Sequence, residues 1–194
     1  MTRTGGRLIS FHHRLDGMTG HRYAEALGLA AAAPARGKDF TLLINENADT
    51  RVRAALPQAH AVLHCPVFRR ECSFDDRTAD FVAMLHRHVD PVVRKDDWLL
   101  VTTATQCEVR ALCAWMAETP AKKQPWVLAL FHSDRWNRYG SQERDRQVGE
   151  FRVVASELAQ LDPDVARRFL LGGATEELCP ELGDLLGTPV QWVP

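Results

Sequence analysis

An open, doubly wound and mainly parallel α/β sheet of about seven strands, flanked by helices, is the fold class this sequence predicts. Two observations predict it. Short, β-rich apolar segments alternate seven times with longer segments whose apolar residues recur at helical spacing. Several of the short segments, "WVLALF" at 126–131 above all, are apolar without alternation, as strands buried on both faces of a parallel sheet are.

Taken in order, the predicted strands are Leu8 to Phe11, Phe40 to Ile44, Ala61 to His64, Trp98 to Thr102, Trp126 to Phe131, Phe169 to Leu171 and Val190 to Val193. An alanine-rich helix over Tyr23 to Ala33 follows the first strand, with Pro34 expected to end or kink it and Gly37 standing at its C-terminal glycine position. Phe81, Leu85, Val89 and Val92 form one helical stripe, and Val109, Leu112, Cys113 and Met116 a second. Thr105 and Glu108 make a capping box in front of that second helix. Two more stripes are Val148, Phe151, Ala155, Leu158 and Leu178, Leu182, Leu185, Leu186. The charged stretches "NENADTR", "FRRECSFDDRTAD" and "SDRWNRYGSQERDR" read as loops. No linker or repeat divides the chain, so one domain over 1–194 is expected.

Composition narrows the function classes. A chain 45% hydrophobic and 25% charged resembles an ordinary soluble protein. A formal net charge of -1 argues against a dedicated nucleic-acid binder. No apolar run approaches the roughly 20 residues that span a bilayer, and none has signal-peptide length. The expected location is cytoplasmic, either free or peripheral to the inner face of the membrane. Cys65, Cys72, Cys107, Cys113 and Cys179 are irregularly spaced without a CxxC pair, which reads as reduced, structural thiols and no metal site.

Ligands of such a sheet bind beyond the carboxyl ends of its strands. That edge comprises the loops 12–20, 45–49, 65–77, 103–105 and 132–143. "HSDRWNRYGSQE" is about twice the usual crossover length, and its aromatic and cationic residues suit recognition as well as a solvated loop. The glycine turn "DGMTGH" (16–21) offers two glycines three apart, and the dinucleotide fingerprint needs a third. Glu46, at the end of the second strand, is the acidic residue that fingerprint would ask for. His12 and His13 are adjacent, point to different faces and suit a metal poorly.

The longer window "DGMTGHRYAEALGLAAAAPARGKDFTLLIN" resembles the opening of the GT-B type, group 1 family of retaining glycosyltransferases. Gly17, Gly20 and His21 correspond to the family's glycine turn, Tyr23 to Ala33 to its helix, Arg36-Gly37 to its turn, and Phe40 to Ile44 to its second strand. "WVLALFHSD" is similar to the family strand that ends in a cleft-facing histidine, and "LGTPVQWVP" to the last strand of its N-terminal domain. The resemblance implies a Rossmann-like acceptor-side domain. Its partner would be a C-terminal donor-binding domain, which 1–194 does not include. It implies transfer of a sugar from a nucleotide-sugar donor to a glycan, lipid-linked or small-molecule acceptor, with no metal and no cofactor.

Under that resemblance Gly17, Gly20 and His21 form the loop that contacts the donor phosphate, where helix N–H groups favour an anion. His132 is the catalytic-site histidine that contacts the transferred sugar. Arg69, Arg70, Arg135 and Arg138 are expected at the acceptor, or are ordinary solvated surface. Trp136 and Tyr139 either stack on a sugar ring or pack their loop onto the domain. The glycine turn is equally readable as a tight connection without a ligand, and His132 as a residue bonded to its own loop. The alternative function is a free-standing Rossmann-like module that binds a nucleotide or other ligand without catalysis. An NAD-type oxidoreductase fits the incomplete fingerprint less well.

Overall fold

β1 (Leu8–His12) pairs in parallel with strands on both of its sides, and the rest of the chain is arranged around it. The computed structural model describes residues 6–64, 72–132 and 140–193. After β1 come α1 (His21–Ala35), β2 (Phe40–Asn45), α2 (Thr50–Ala55), β3 (Ala59–Leu63) and α3 (Phe74–His88). The second half runs β4 (Trp98–Val101), α4 (Gln106–Glu118), β5 (Trp126–Phe131), α5 (Ser141–Gln160), α6 (Pro163–Ala166), β6 (Phe169–Gly173), α7 (Leu178–Leu186) and β7 (Gln191–Trp192). All seven strands are parallel in the order β3-β2-β1-β4-β5-β6-β7. The order reverses between β1 and β4, which makes their carboxyl ends the switch point where a ligand crevice forms. The chain is therefore a Rossmann-like α/β protein with a single sheet.

Local chemistry explains where the structure departs from the predicted boundaries. Helix α3 begins inside the supposed loop because Ser73 and Asp76 form a reciprocal capping box. α5 takes in "SQERDR", whose charges Arg146, Glu143 and Glu150 pair one turn apart along the helix. The short α2 is started by Asp49, whose carboxylate accepts from the Arg51 amide. Pro34 does not end α1 early: as the penultimate residue it lies where the helix is already stopping. Gly37 (φ +69°) then closes the helix, with its own amide on the Pro34 carbonyl and the Lys38 amide on the Ala33 carbonyl.

The sheet faces are unequal. Lateral neighbours in a parallel sheet share a face. One face carries the rows Ile9–Leu99–Val127–Phe169 and Leu43–Phe11–Val101–Ala129–Leu171, all buried beneath α3, α4, α5 and α7 in one large core. The opposite face holds a smaller core, in which Ala26 of α1 and Val52 of α2 pack on Leu42 and Ile44 of β2. The described residues cover only part of that second face. Trp98, Leu100, Trp126, Leu128 and Leu170 belong to neither core and are half-buried.

Adjacent residues of β4 should therefore respond unequally to truncation. Leu99→Ala opens a cavity in the large core and is expected to cost about 2–5 kcal/mol. Leu100→Ala, on the uncovered face, should cost less than about half as much. Urea unfolding of both variants checks the contrast, and equal losses would contradict it.

Candidate functional site

At the switch point, two layers of polar side chains lie beneath and beyond the strand ends. The lower layer is dry. On the α1 face, the buried His12 ring bridges two hydroxyls, with Nε2 2.8 Å from Ser10 Oγ and Nδ1 3.2 Å from Thr102 Oγ1. Burial, the largest influence, lowers the His12 pKa to about 3. The ring is neutral at physiological pH.

His13 points to the other face, edge-on to Phe81 and beside Phe11. Its Nε2 lies 2.8 Å from Glu108 Oε1, and Arg14 Nη2 donates to the same oxygen at 3.1 Å. The second Glu108 oxygen accepts from the amide and hydroxyl of Thr105. Burial alone would raise the Glu108 pKa, but the Arg14 guanidinium, the His13 ring and Thr105 outweigh it and hold it at about 2. Burial, the largest influence on His13, pushes its pKa down, and its Nε2 lies against both the Glu108 carboxylate and, at 3.1 Å, Arg14 Nε. Its Nδ1 is buried without a hydrogen-bond partner among the described residues.

This layer fixes the loop above it. Asn45, at the end of β2, donates from Nδ2 to the His13 carbonyl at 2.7 Å. Arg22 of α1 reaches the Arg14 carbonyl, and the Asp49 amide donates to the Asp16 carbonyl at 2.8 Å. The glycine turn thus leaves β1 tied to β2, α1 and α4.

The upper layer is only partly exposed. His21, at the exposed start of α1, lies with its ring 5.2 Å from that of His132, which follows β5. Glu25, one turn along α1 from His21, brings Oε1 to 3.6 Å from His132 Nε2. The His132 and Glu25 side chains are 23% and 20% exposed, so both border the crevice without projecting from it. Neither His132 Nε2 nor Glu25 Oε2 has a hydrogen-bond partner among the described residues. The N-terminal turn of α1 contains no acidic residue and receives no side-chain cap. Two imidazoles, a carboxylate and uncapped helix amides can together hold a ligand bearing hydroxyl groups and negative charge.

A side chain at Gly17 or Gly20 would meet nothing within 4 Å, so neither is required by close approach within the chain. Gly20 is required by its backbone, whose φ of +83° and ψ of 179° lie in a region essentially restricted to glycine. Gly17 has no such constraint. Of the predicted site residues, His21 and His132 come together at the glycine turn. Arg69, Arg70, Arg135, Trp136, Arg138 and Tyr139 lie outside the described residues.

Sequence reasoning missed Glu25, although its i, i+4 spacing from His21 places both on one flank of a helix. It recognised Glu108 only as a cap. No local signal joins Glu108 to Arg14, because 94 positions separate them.

The fold and this edge define a Rossmann-like α/β protein with a candidate ligand crevice at its switch point. Comparison with family models, with curated proteins and with solved structures gives no significant match in any of the three. Among the described residues, no helix is long and apolar enough to cross a membrane.

The buried network makes two predictions. His12 binds its proton at about pH 6.5 when unfolded but near 3 when folded, so its deprotonation favours the folded state. That contribution is present above about pH 6.5 and is lost as pH falls toward 3; His12→Asn should flatten this part of the stability profile measured by urea unfolding. Glu108→Gln leaves the Arg14 charge buried without its counter-ion and should cost about 3–5 kcal/mol at neutral pH. Calorimetry or denaturant unfolding would show it, and an unchanged midpoint would overturn the role given to this pair.

Proposed function

We propose that this chain is the acceptor-side, Rossmann-like half of a glycosyltransferase of the GT-B type. In this reading it moves a sugar from a nucleotide-sugar donor to a glycan, lipid-linked or small-molecule acceptor. A second domain, carried by the same polypeptide or by a partner, holds the donor nucleotide. The observation that carries the reading is the 5.2 Å approach of His21 to His132 at the carboxyl edge of the sheet. These two histidines stand at the positions where the sequence resembles the family's glycine turn and cleft histidine.

Each residue has a role within it. The uncapped N-terminus of α1 interacts with donor phosphate through backbone amides and the helix dipole. His132 hydrogen-bonds a hydroxyl of the transferred sugar and stabilises charge as the glycosidic bond to the phosphate breaks. Glu25 positions the His132 ring through their 3.6 Å contact. His21 closes the pocket on the side of the turn. No metal or cofactor is required. Arg69, Arg70, Arg135, Trp136, Arg138 and Tyr139 remain the acceptor-binding residues of the proposal.

Two outcomes test it. Residues 1–194 alone should turn over no nucleotide sugar, because catalysis needs both halves of the cleft to hold the reactants in register. In an enzyme completed with its donor-binding half, His132→Ala should lower kcat by about 10²-fold or more while leaving the thermal midpoint nearly unchanged. Tight binding of NAD to the chain, read by calorimetry, would replace this reading with a dinucleotide site. A complete enzyme indifferent to His132→Ala would remove the histidine from the reaction.

A further inference from the structure

We propose that the half of the sheet left open by the described residues, over β4, β5 and β6, is the docking site of one amphipathic α-helix, acidic at its C-terminal end, presented by a partner protein. This inference does not depend on the sugar-transfer reading. It begins with the register. Leu100, Leu128 and Leu170 are lateral partners in one row, and Trp98 and Trp126 are partners in the row beneath, with their rings stacked at 5.5 Å. All five are large, apolar and half-buried on three adjacent parallel strands, and none joins either core. Parallel strands are ordinarily covered on both faces, because each is apolar on both. On β4 and β5, the alternate residues Leu99, Val101, Val127 and Ala129 are fully buried in the large core beneath the helices.

The shape of the vacancy selects a helix. α1 occupies the same face over β1 and β2, and its Glu25 reaches across to His132 at the end of β5. One flank of α1 therefore forms a wall along the apolar strip. The α1 positions that share this flank with Glu25 are Gly28, Leu29 and Ala32, small or apolar residues that let a neighbouring helix approach closely. Strands about 4.8 Å apart and same-face residues about 6.8 Å apart give the strip an area on the order of 200–300 Å². A stable dimer needs roughly 800 Å² from each partner, so a second copy of this chain is too large an occupant for so small a strip. A helix about 10 Å wide and about 12 residues long would cover it.

Charge gives the helix a direction. At the amino end of the strands, Arg168 lies over the Trp126 ring at 5.2 Å and shares a hollow of about 360 Å³ with Lys95. Lys122 and Lys123 are exposed in the turn before β5; Asp96 is exposed beside Lys95, and Asp164, paired with Arg167, lines the same hollow. This cationic rim favours the negative, C-terminal end of a helix carrying an acidic side chain. The docked helix would run in the same direction as α1. A lipid surface, the other partner suited to tryptophan, leucine and lysine, would require protruding side chains. These five are recessed: none is among the exposed large hydrophobic residues.

The test uses the whole chain and, as probe, a synthetic amphipathic peptide of about 15 residues with leucines at i, i+3, i+4 and i+7 and glutamates in its last turn. Saturable NMR shifts are expected at the Leu100, Leu128 and Leu170 methyls and the Trp98 and Trp126 indoles. Lys95→Glu should weaken binding several-fold. Leu128→Glu should abolish it without shifting the thermal midpoint downward by more than a few degrees, since the side chain is outside both cores. If Leu128→Glu fails to fold, Leu170→Gln provides the same readout. Absence of saturable shifts overturns the proposal. So does a dimer by sedimentation that dissociates in the leucine variant, which would seat a second copy there. Leucine-dependent flotation with phosphatidylserine-rich vesicles would instead assign the face to a membrane.

Discussion

Glu108 is an ionised carboxylate in a site with no access to water, and the switch point is built around keeping it so. An isolated charge there would be expelled or neutralised, since burial opposes ionisation. It stays charged because Arg14 from the end of β1, His13 beside it and Thr105 at the start of α4 all direct positive charge or hydrogen atoms at its two oxygens. The donors come from two distant parts of the chain. The carboxylate therefore holds the end of β1 against the start of α4, across the line where the strand order reverses.

The solvent-facing layer inherits its geometry from that lock. The loop leaving Arg14 can reach α1 by only a few routes once its carbonyls are held by Asn45, Arg22 and Asp49. Gly20 supplies the one backbone conformation that most residues resist, and α1 starts at the next residue. That start directs His21 and Glu25 toward the end of β5, where they meet His132. A site resting on a buried, hydrogen-bonded layer loses little order when water or ligand enters above it. The same division separates the histidines by duty. His12 and His13 are buried and neutral, and serve the architecture; His21 and His132 face the crevice.

The sheet's second consequence is its asymmetry. Crossovers from β1 through β3 lay α1 and α2 on one face, and the crossovers of the second half lay α3, α4, α5 and α7 on the other. With α1 and α2 confined to β1 through β3, the α1 face of β4 to β6 has no helix from within the described residues. Its apolar composition was visible as an unbroken "WVLALF", a pattern that specifies burial on both faces without saying what covers each.

What the sequence determined by itself was local. Unbroken apolar runs marked the strands, 3.6-residue stripes marked the helices, and Thr105 with Glu108 and Gly37 marked two helix ends, because these signals arise from side chains within one or two turns of each other. The loops read into "SFDDRTAD" and "SQERDR" came from equating charge with coil, although charges paired along a helix face stabilise it. The sequence also pointed to His21 and His132, through resemblance, without showing that their rings touch. Tertiary structure alone decided that β1 lies beside β4, that Arg14 meets Glu108 across 94 positions, and that Glu25 reaches His132. It also decided which face of β4 to β6 is left open. These are matters of strand order and of which helix covers which face, and periodicity cannot encode them: a residue's period says that it faces a core, while the partner it meets there depends on how distant segments close around it.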